Sequence, residues 1–127
     1  MLQMKTKITL IILEMPSAFN GVIPTVSTVI RKDNGKFPSK FISAGSVEDT
    51  ITSLCSDVCN VHRDFLDLKL KELVKDGPET VEAIYCASVP KDVLSVKNCY
   101  KSYPLEDIFL EDKYGFCIRQ FPRLTGG

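Results

Sequence analysis

The 127-residue chain has no excess charge of either sign: Lys and Arg total 16, and Asp and Glu total 16. A chain without a net field is a poor candidate for broad electrostatic capture of nucleic acid or of an anionic membrane. Lys32, Lys36 and Lys40 group locally, as do Lys69, Lys71 and Lys75, and such groups read first as solvated surface. Long apolar runs are also missing. The run Ile8–Leu13 is closed by Glu14, short of the roughly 7–15 apolar residues of a secretory signal or the roughly 20 of a membrane span. It reads as a buried strand, and no signal peptide or transmembrane segment is expected. No Cys-x-x-Cys pair occurs. The 5 cysteines are odd in number and scattered at positions 55, 59, 86, 99 and 117, which favours reduced thiols in a cytoplasmic compartment over a disulfide framework. Cys86 and Cys117 sit inside apolar runs, where cysteine acts as a small hydrophobe. There is no internal repeat, low-complexity tract or interdomain linker.

What is present suits one α+β domain. The hydrophobic fraction is 44% and the charged fraction 25%, near the globular average. A chain of this length buries roughly two thirds of its unfolded surface, so it needs no disulfide or metal to fold. One domain over residues 1–122 with a tail at 123–127 is expected. The β-branched stretch "KITLIILE" at 7–14 reads as a central strand. "PSAFNG" follows as loop, with Pro16 and Asn20-Gly21 as turn signals. Pro24 keeps the start of "VIPTVSTVIRK" out of a ladder, which leaves a strand over 25–31. Asn34-Gly35 then turns the chain.

Ser46 begins a helix expected to run to about Asn60. Ser46 and Asp49 have the spacing of an N-cap and its N3 acid, and Glu48 with Asp49 suits the positive helix start. Ile51, Leu54, Cys55 and Val58 recur at i, i+3, i+4 and i+7, one buried face. The stretch 65–77 satisfies both strand and helix periods. A hairpin around Asp76-Gly77 with a second strand over 79–89 is the favoured reading. A short strand over 93–100, a helical turn after Pro104 and a last strand over 116–121 complete the expectation.

The segment 25–61 resembles the core of a Nudix hydrolase domain. Val29, Ile30, Arg31 and Lys32 look like that family's strand end. Asn34-Gly35-Lys36-Phe37-Pro38 looks like its turn, aromatic and proline. Phe41-Ile42, Gly45 and Val47-Glu48-Asp49 look like the approach to its helix, and Val61 like the apolar residue beyond. The resemblance implies an αβ sandwich built on a mixed sheet, with the helix at 46–60 as its principal helix. It also implies hydrolysis of a nucleoside diphosphate linked to another group, with Mg²⁺ or Mn²⁺ held by glutamates. Here the family's two glycines after the proline are Ser39 and Lys40, and its Gly-Glu is Gly45-Ser46. With one residue missing near Ser46, its arginine and three glutamates fall on Ser53, Leu54, Asp57 and Val58, and its last glycine on Asn60. Hard divalent cations want several oxygen ligands, mostly carboxylates. One aspartate does not supply them, so no metal site and no cofactor is expected.

The expectation is therefore a non-catalytic Nudix-like binding or assembly protein. Its groove, lined by residues 36–46 and the helix start, would take a nucleotide-type ligand, an RNA end or a peptide. Arg31, Lys36, Ser39, Lys40 and Ser46 are the candidate ligand-binding residues, and Glu48, Asp49 and Asp57 the residual acidic positions. A protein partner or self-association is expected, with no membrane and no strong nucleic-acid signal. Two alternatives stand beside it: a divergent metal-dependent pyrophosphohydrolase using Glu48, Asp49 and Asp57, and an unrelated small α+β interaction protein.

Other constellations read as structure first. Cys55, Cys59 and His62, at i, i+4 and i+7, have helical spacing for soft zinc ligands, but packed thiols and a surface histidine are the simpler account. His62 is the only histidine, and no nucleophile is placed convincingly beside it. The rings of Tyr85, Tyr100, Tyr103, Phe109, Tyr114, Phe116 and Phe121 suit core packing better than base stacking, with Lys97, Lys101, Arg119 and Arg123 only thinly interleaved. The terminal Gly-Gly reads as a frayed end.

Overall fold

The computed structural model describes residues 4–15, 26–42, 46–91 and 93–119. The chain order is β1 (Lys5–Met15), β2 (Ser27–Arg31), β3 (Ser39–Phe41), α1 (Val47–Val58), β4 (Lys69–Lys75), β5 (Thr80–Pro90), β6 (Tyr100–Pro104) and α2 (Asp112–Arg119). Short 3-10 turns at Arg63–Phe65 and Leu105–Asp107 precede β4 and follow β6. The loop expected at 16–21, Pro24, Gly45, the last two positions of the strand expected at 116–121, and the tail lie outside the described residues.

β1 organises the sheet because its apolar run has no polar face. Every residue from Ile8 to Leu13 is buried, the pattern of a strand covered on both sides. It runs parallel to β5 from Lys5↔Thr80 to Met15↔Pro90. Its other edge is shared by two antiparallel partners, β3 at the start (Ile8↔Lys40) and β2 at the end (Leu13↔Thr28). The strand order is β4-β5-β1-β2-β6, with β3 beside β1, six strands in a mixed sheet. Alternation sends Ile8, Leu10 and Ile12 into one core with Ile51, Leu54, Cys55 and Val58 of α1. Ile11 and Leu13 enter a second core with Ile84, Cys86 and Phe37, closed by Cys117 and Ile118 of α2. The helices thus cover opposite faces of the sheet.

α1 starts where the capping pattern places it: Ser46 Oγ accepts the Asp49 N–H at 3.1 Å. It ends at Val58, because Cys59 is extended at φ −151°. The turn between β2 and β3 uses Gly35 at φ +69°, a conformation that costs glycine nothing. The ambiguous stretch resolves as strand from Lys69 onward and forms the hairpin with β5, with Gly77 at φ +91° in the turn.

Two expectations are corrected. Residues 116–119 are helical, not a strand. Tyr114, Cys117 and Ile118 stand at i, i+3 and i+4, so a short apolar run satisfies both periods and tertiary anchoring decides. The strand over 93–100 is absent apart from its last residue, Tyr100, which opens β6. The backbone before it is spent on the end of α1: the Lys97 N–H donates to the Val58 carbonyl at 2.8 Å and the Asn60 N–H to that of Ser95 at 3.1 Å. Only one bridge, Cys59↔Val96, remains there.

Candidate functional site

The outward face of α1 carries Ser53 and Asp57, one helical turn apart. Lys40, in the middle of β3, reaches both: Nζ donates to Ser53 Oγ at 2.6 Å and to Asp57 Oδ2 at 3.1 Å. A cleft of about 520 Å³ opens beside this pair, lined by Arg31, Ser56, Asp57, Lys97, Asn98, Cys99 and Tyr100. Arg31 ends β2 and holds Asp33 by two hydrogen bonds, Nε at 3.0 Å and Nη2 at 2.8 Å. That bidentate pairing raises the guanidinium further and lowers the Asp33 carboxyl below its ordinary range. Lys97 Nζ donates to the Ser56 carbonyl at 2.5 Å, at the electron-rich end of α1. Burial pushes the Tyr100 hydroxyl up, Arg31 pulls it back, and Asp57 adds to the rise. Two cations, an aromatic ring and one exposed acid thus line the cleft, and a third cation, Lys40, rests on that acid.

The other sequence-derived candidates fall elsewhere. Ser46 is committed to capping α1. Glu48 pairs with Arg63 across the first turn, and Asp49 lies in the same exposed turn. Ser39 pairs with Thr9 in register, so its side chain takes the α2 face, opposite Lys40. Lys36 is also on the α2 side, where it lines a second cleft of about 560 Å³ with Lys101, Tyr103, Phe109 and Glu111. Arg31, Lys40 and Asp57 therefore converge, while Lys36, Ser39, Ser46, Glu48 and Asp49 do not join them. Lys97 and Tyr100 complete the cleft. They stood in the sequence only as one basic and one aromatic residue among several, without a spacing to connect them to α1.

Leu54 and Val58, the positions at which the resemblance would place two of that family's glutamates, are 1% and 0% exposed. Their side chains fill the core under α1 and carry no oxygen. Of Ser53, Leu54, Asp57 and Val58 only Asp57 carries a carboxylate, and the Lys40 ammonium rests on it. Among the described residues no group of three His, Cys, Asp or Glu side chains is placed to hold a metal ion. Burial pushes the Cys55 thiol up to about 11 and raises Cys59 as well. Cys59 Sγ donates to the carbonyls of Cys55 and Val61 at 3.7 Å, and His62 Nδ1 accepts the Asp64 N–H at 3.1 Å.

A buried carboxylate the sequence did not single out lies under α2. Glu82 on β5 has no exposure, yet accepts hydrogen bonds from Thr9 Oγ1 at 2.5 Å and Tyr114 Oη at 2.6 Å. Its second oxygen, Oε1, has no oriented hydrogen bond and is satisfied by Lys113 Nζ at 2.6 Å. Burial alone would raise Glu82; the bonds from Lys113, Thr9 and Tyr114 outweigh it and hold the carboxyl below its ordinary value.

Sequence comparison finds no matching family model and no matching curated protein. The backbone does find matches. A mutT/nudix family protein from Listeria innocua superposes with a TM-score of 0.66 at 11% identity, covering 99% of this chain and 97% of that one. The Nudix domain of Shewanella oneidensis NrtR, solved with ADP ribose, gives 0.63 at 16% identity, covering 98% and 90%. The C-terminal domain of mouse MUTYH, solved with human PCNA, gives 0.60 at 13% identity, covering 98% and 92%. Identities this low speak to architecture. With helices on both faces of a six-stranded mixed sheet, and near-complete overlap with Nudix proteins, the chain has a Nudix-like α+β fold.

Proposed function

We propose that this protein is a binding domain on a Nudix-like scaffold that has exchanged catalysis for recognition of an anionic, nucleotide-type ligand in the cleft beside α1. The observation that carries the reading is Lys40. Its ammonium lies on Asp57 and Ser53, the two polar side chains left at the motif positions. Arg31 and Lys97 supply donors for phosphate oxygens from the same wall, and the half-buried Tyr100 offers a ring to a base. Buried Leu54 and Val58 support the loss of chemistry, because a carboxylate at either position would have to leave the core to meet a metal. A neighbour of this fold solved with ADP ribose and another solved with a protein partner support recognition as a use of the scaffold.

Calorimetric titration with ADP ribose, NAD and a capped dinucleotide tests the reading. Binding of at least one is expected in metal-free buffer, with the affinity reduced about tenfold or more in Arg31→Ala and Lys40→Ala. Phosphate release with Mg²⁺ or Mn²⁺, lost in Asp57→Ala, would overturn it in favour of a divergent pyrophosphohydrolase.

A further inference from the structure

The two cations that line the α1 cleft, Arg31 and Lys97, and the adjoining Lys40 are already held by groups of the chain. Asp33 grips Arg31, the Ser56 carbonyl takes Lys97, and Asp57 takes Lys40. Of these two acids only Asp57 belongs to the cleft wall, and its carboxylate stands 3.1 Å from the ammonium, where an oxygen of an incoming anion would sit. The pair is open to water, with side-chain exposures of 42% for Lys40 and 53% for Asp57, and an ion pair so exposed is easily broken.

We infer that Asp57 is a built-in competitor that must release Lys40 before a ligand phosphate can take its place, and that the net positive charge around the cleft, not Asp57, selects a terminal, dianionic phosphate over a phosphodiester. The inference rests on the reading of this cleft as an anion site. Its basis is a charge comparison. Opening the Lys40–Asp57 pair costs the same whichever ligand enters. The attraction that offsets this cost scales with ligand charge, and Arg31 and Lys97 of the wall with adjoining Lys40, against Asp57 and Asp33, leave the surroundings net positive. A phosphodiester brings one negative charge, no more than the carboxylate it displaces. A terminal phosphate brings about 1.5 to 2 at neutral pH. Once Asp57 is neutral, both the cost and the repulsion vanish, and the more highly charged ligand gains more.

Titration of ADP and of the dinucleoside monophosphate ApA into wild type, Asp57→Asn and Asp57→Ser, in metal-free buffer at fixed ionic strength, tests this. Wild type is expected to prefer ADP. Both variants are expected to bind ADP roughly threefold to tenfold more tightly, with a smaller gain for ApA. ADP binding seen only in the variants supports the inference equally. Wild type that binds ADP with no gain in either variant, or that binds ApA as tightly as ADP, overturns the inference and leaves the cleft reading standing. Binding of neither probe to any of the three proteins overturns both.

Discussion

Lys113 Nζ of α2 lies 2.6 Å from Oε1 of Glu82, a side chain of β5 with no solvent exposure. Glu82 also takes hydrogen bonds from β1 through Thr9 and from α2 through Tyr114. One carboxylate therefore ties three elements together on the α2 face. Removing one partner of a buried pair leaves the other uncompensated. Lys113→Met strands the carboxylate and should destabilise the protein by about 3–5 kcal/mol. Glu82→Gln should cost less, because the Lys113 ammonium is partly exposed and can turn to water. Urea unfolding of the two variants gives the order; equal or reversed costs would show that Glu82 is not the constrained partner.

The same site sets an acid dependence. The Glu82 carboxyl is held below its ordinary value of 4.5. A carboxyl lowered in the folded state contributes stability that is present above the unfolded value and lost as pH falls through the folded one. Stability should therefore drop below about pH 4.5, and Glu82→Gln should flatten that drop. Lys113 is raised above 10.5 by Glu82 against the opposing effect of burial, so its contribution is present below that value and lost as pH rises through the folded one. Unfolding free energies from pH 3 to 7 decide the acid limb; an unchanged slope in Glu82→Gln would remove Glu82 as its source.

Ser46 separates capping from recognition. Its hydroxyl accepts the Asp49 N–H and satisfies one unpaired donor of the first turn. Ser46→Ala should cost about 1 kcal/mol and leave ADP affinity unchanged. Parallel denaturation and titration check it, and a loss of affinity without loss of stability would move Ser46 into the ligand site.

Leu54 tests the claim that a motif position now belongs to the core. At 1% exposure, Leu54→Ala should cost about 2–5 kcal/mol. Leu54→Glu should fail to fold rather than restore an acid to the site. Soluble, folded Leu54→Glu with Mn²⁺ affinity measured by paramagnetic resonance would contradict this.

Much of the frame was legible because it is written in local terms. The Ser46 cap, the i, i+3, i+4, i+7 face of α1, the Asn34-Gly35 turn and the β1 run each depend on residues close in sequence. The miss at 116–119 arose where local signals tie: a short apolar run fits strand and helix alike, and the contacts of Tyr114 and Lys113 with Glu82, some thirty residues away, favour the helix. The candidate ligand residues divided for a related reason. Lys36, Ser39 and Lys40 are near neighbours in the chain, yet strand alternation puts Ser39 and Lys40 on opposite faces of the sheet.

By itself the sequence determined the elements that periodicity, capping and turn chemistry specify, and it suggested a Nudix-like frame in which Leu54 and Val58 stand where that family's glutamates are expected. Periodicity already put Leu54 and Val58 on the buried face, but tertiary structure alone decided what meets Asp57: it brought Lys40 across 17 positions onto it. It then drew Arg31, Lys97 and Tyr100 into the same wall. Hydrophobic periodicity is a property of near neighbours, whereas the meeting of an ammonium and a carboxylate from different elements is set by strand register and helix docking.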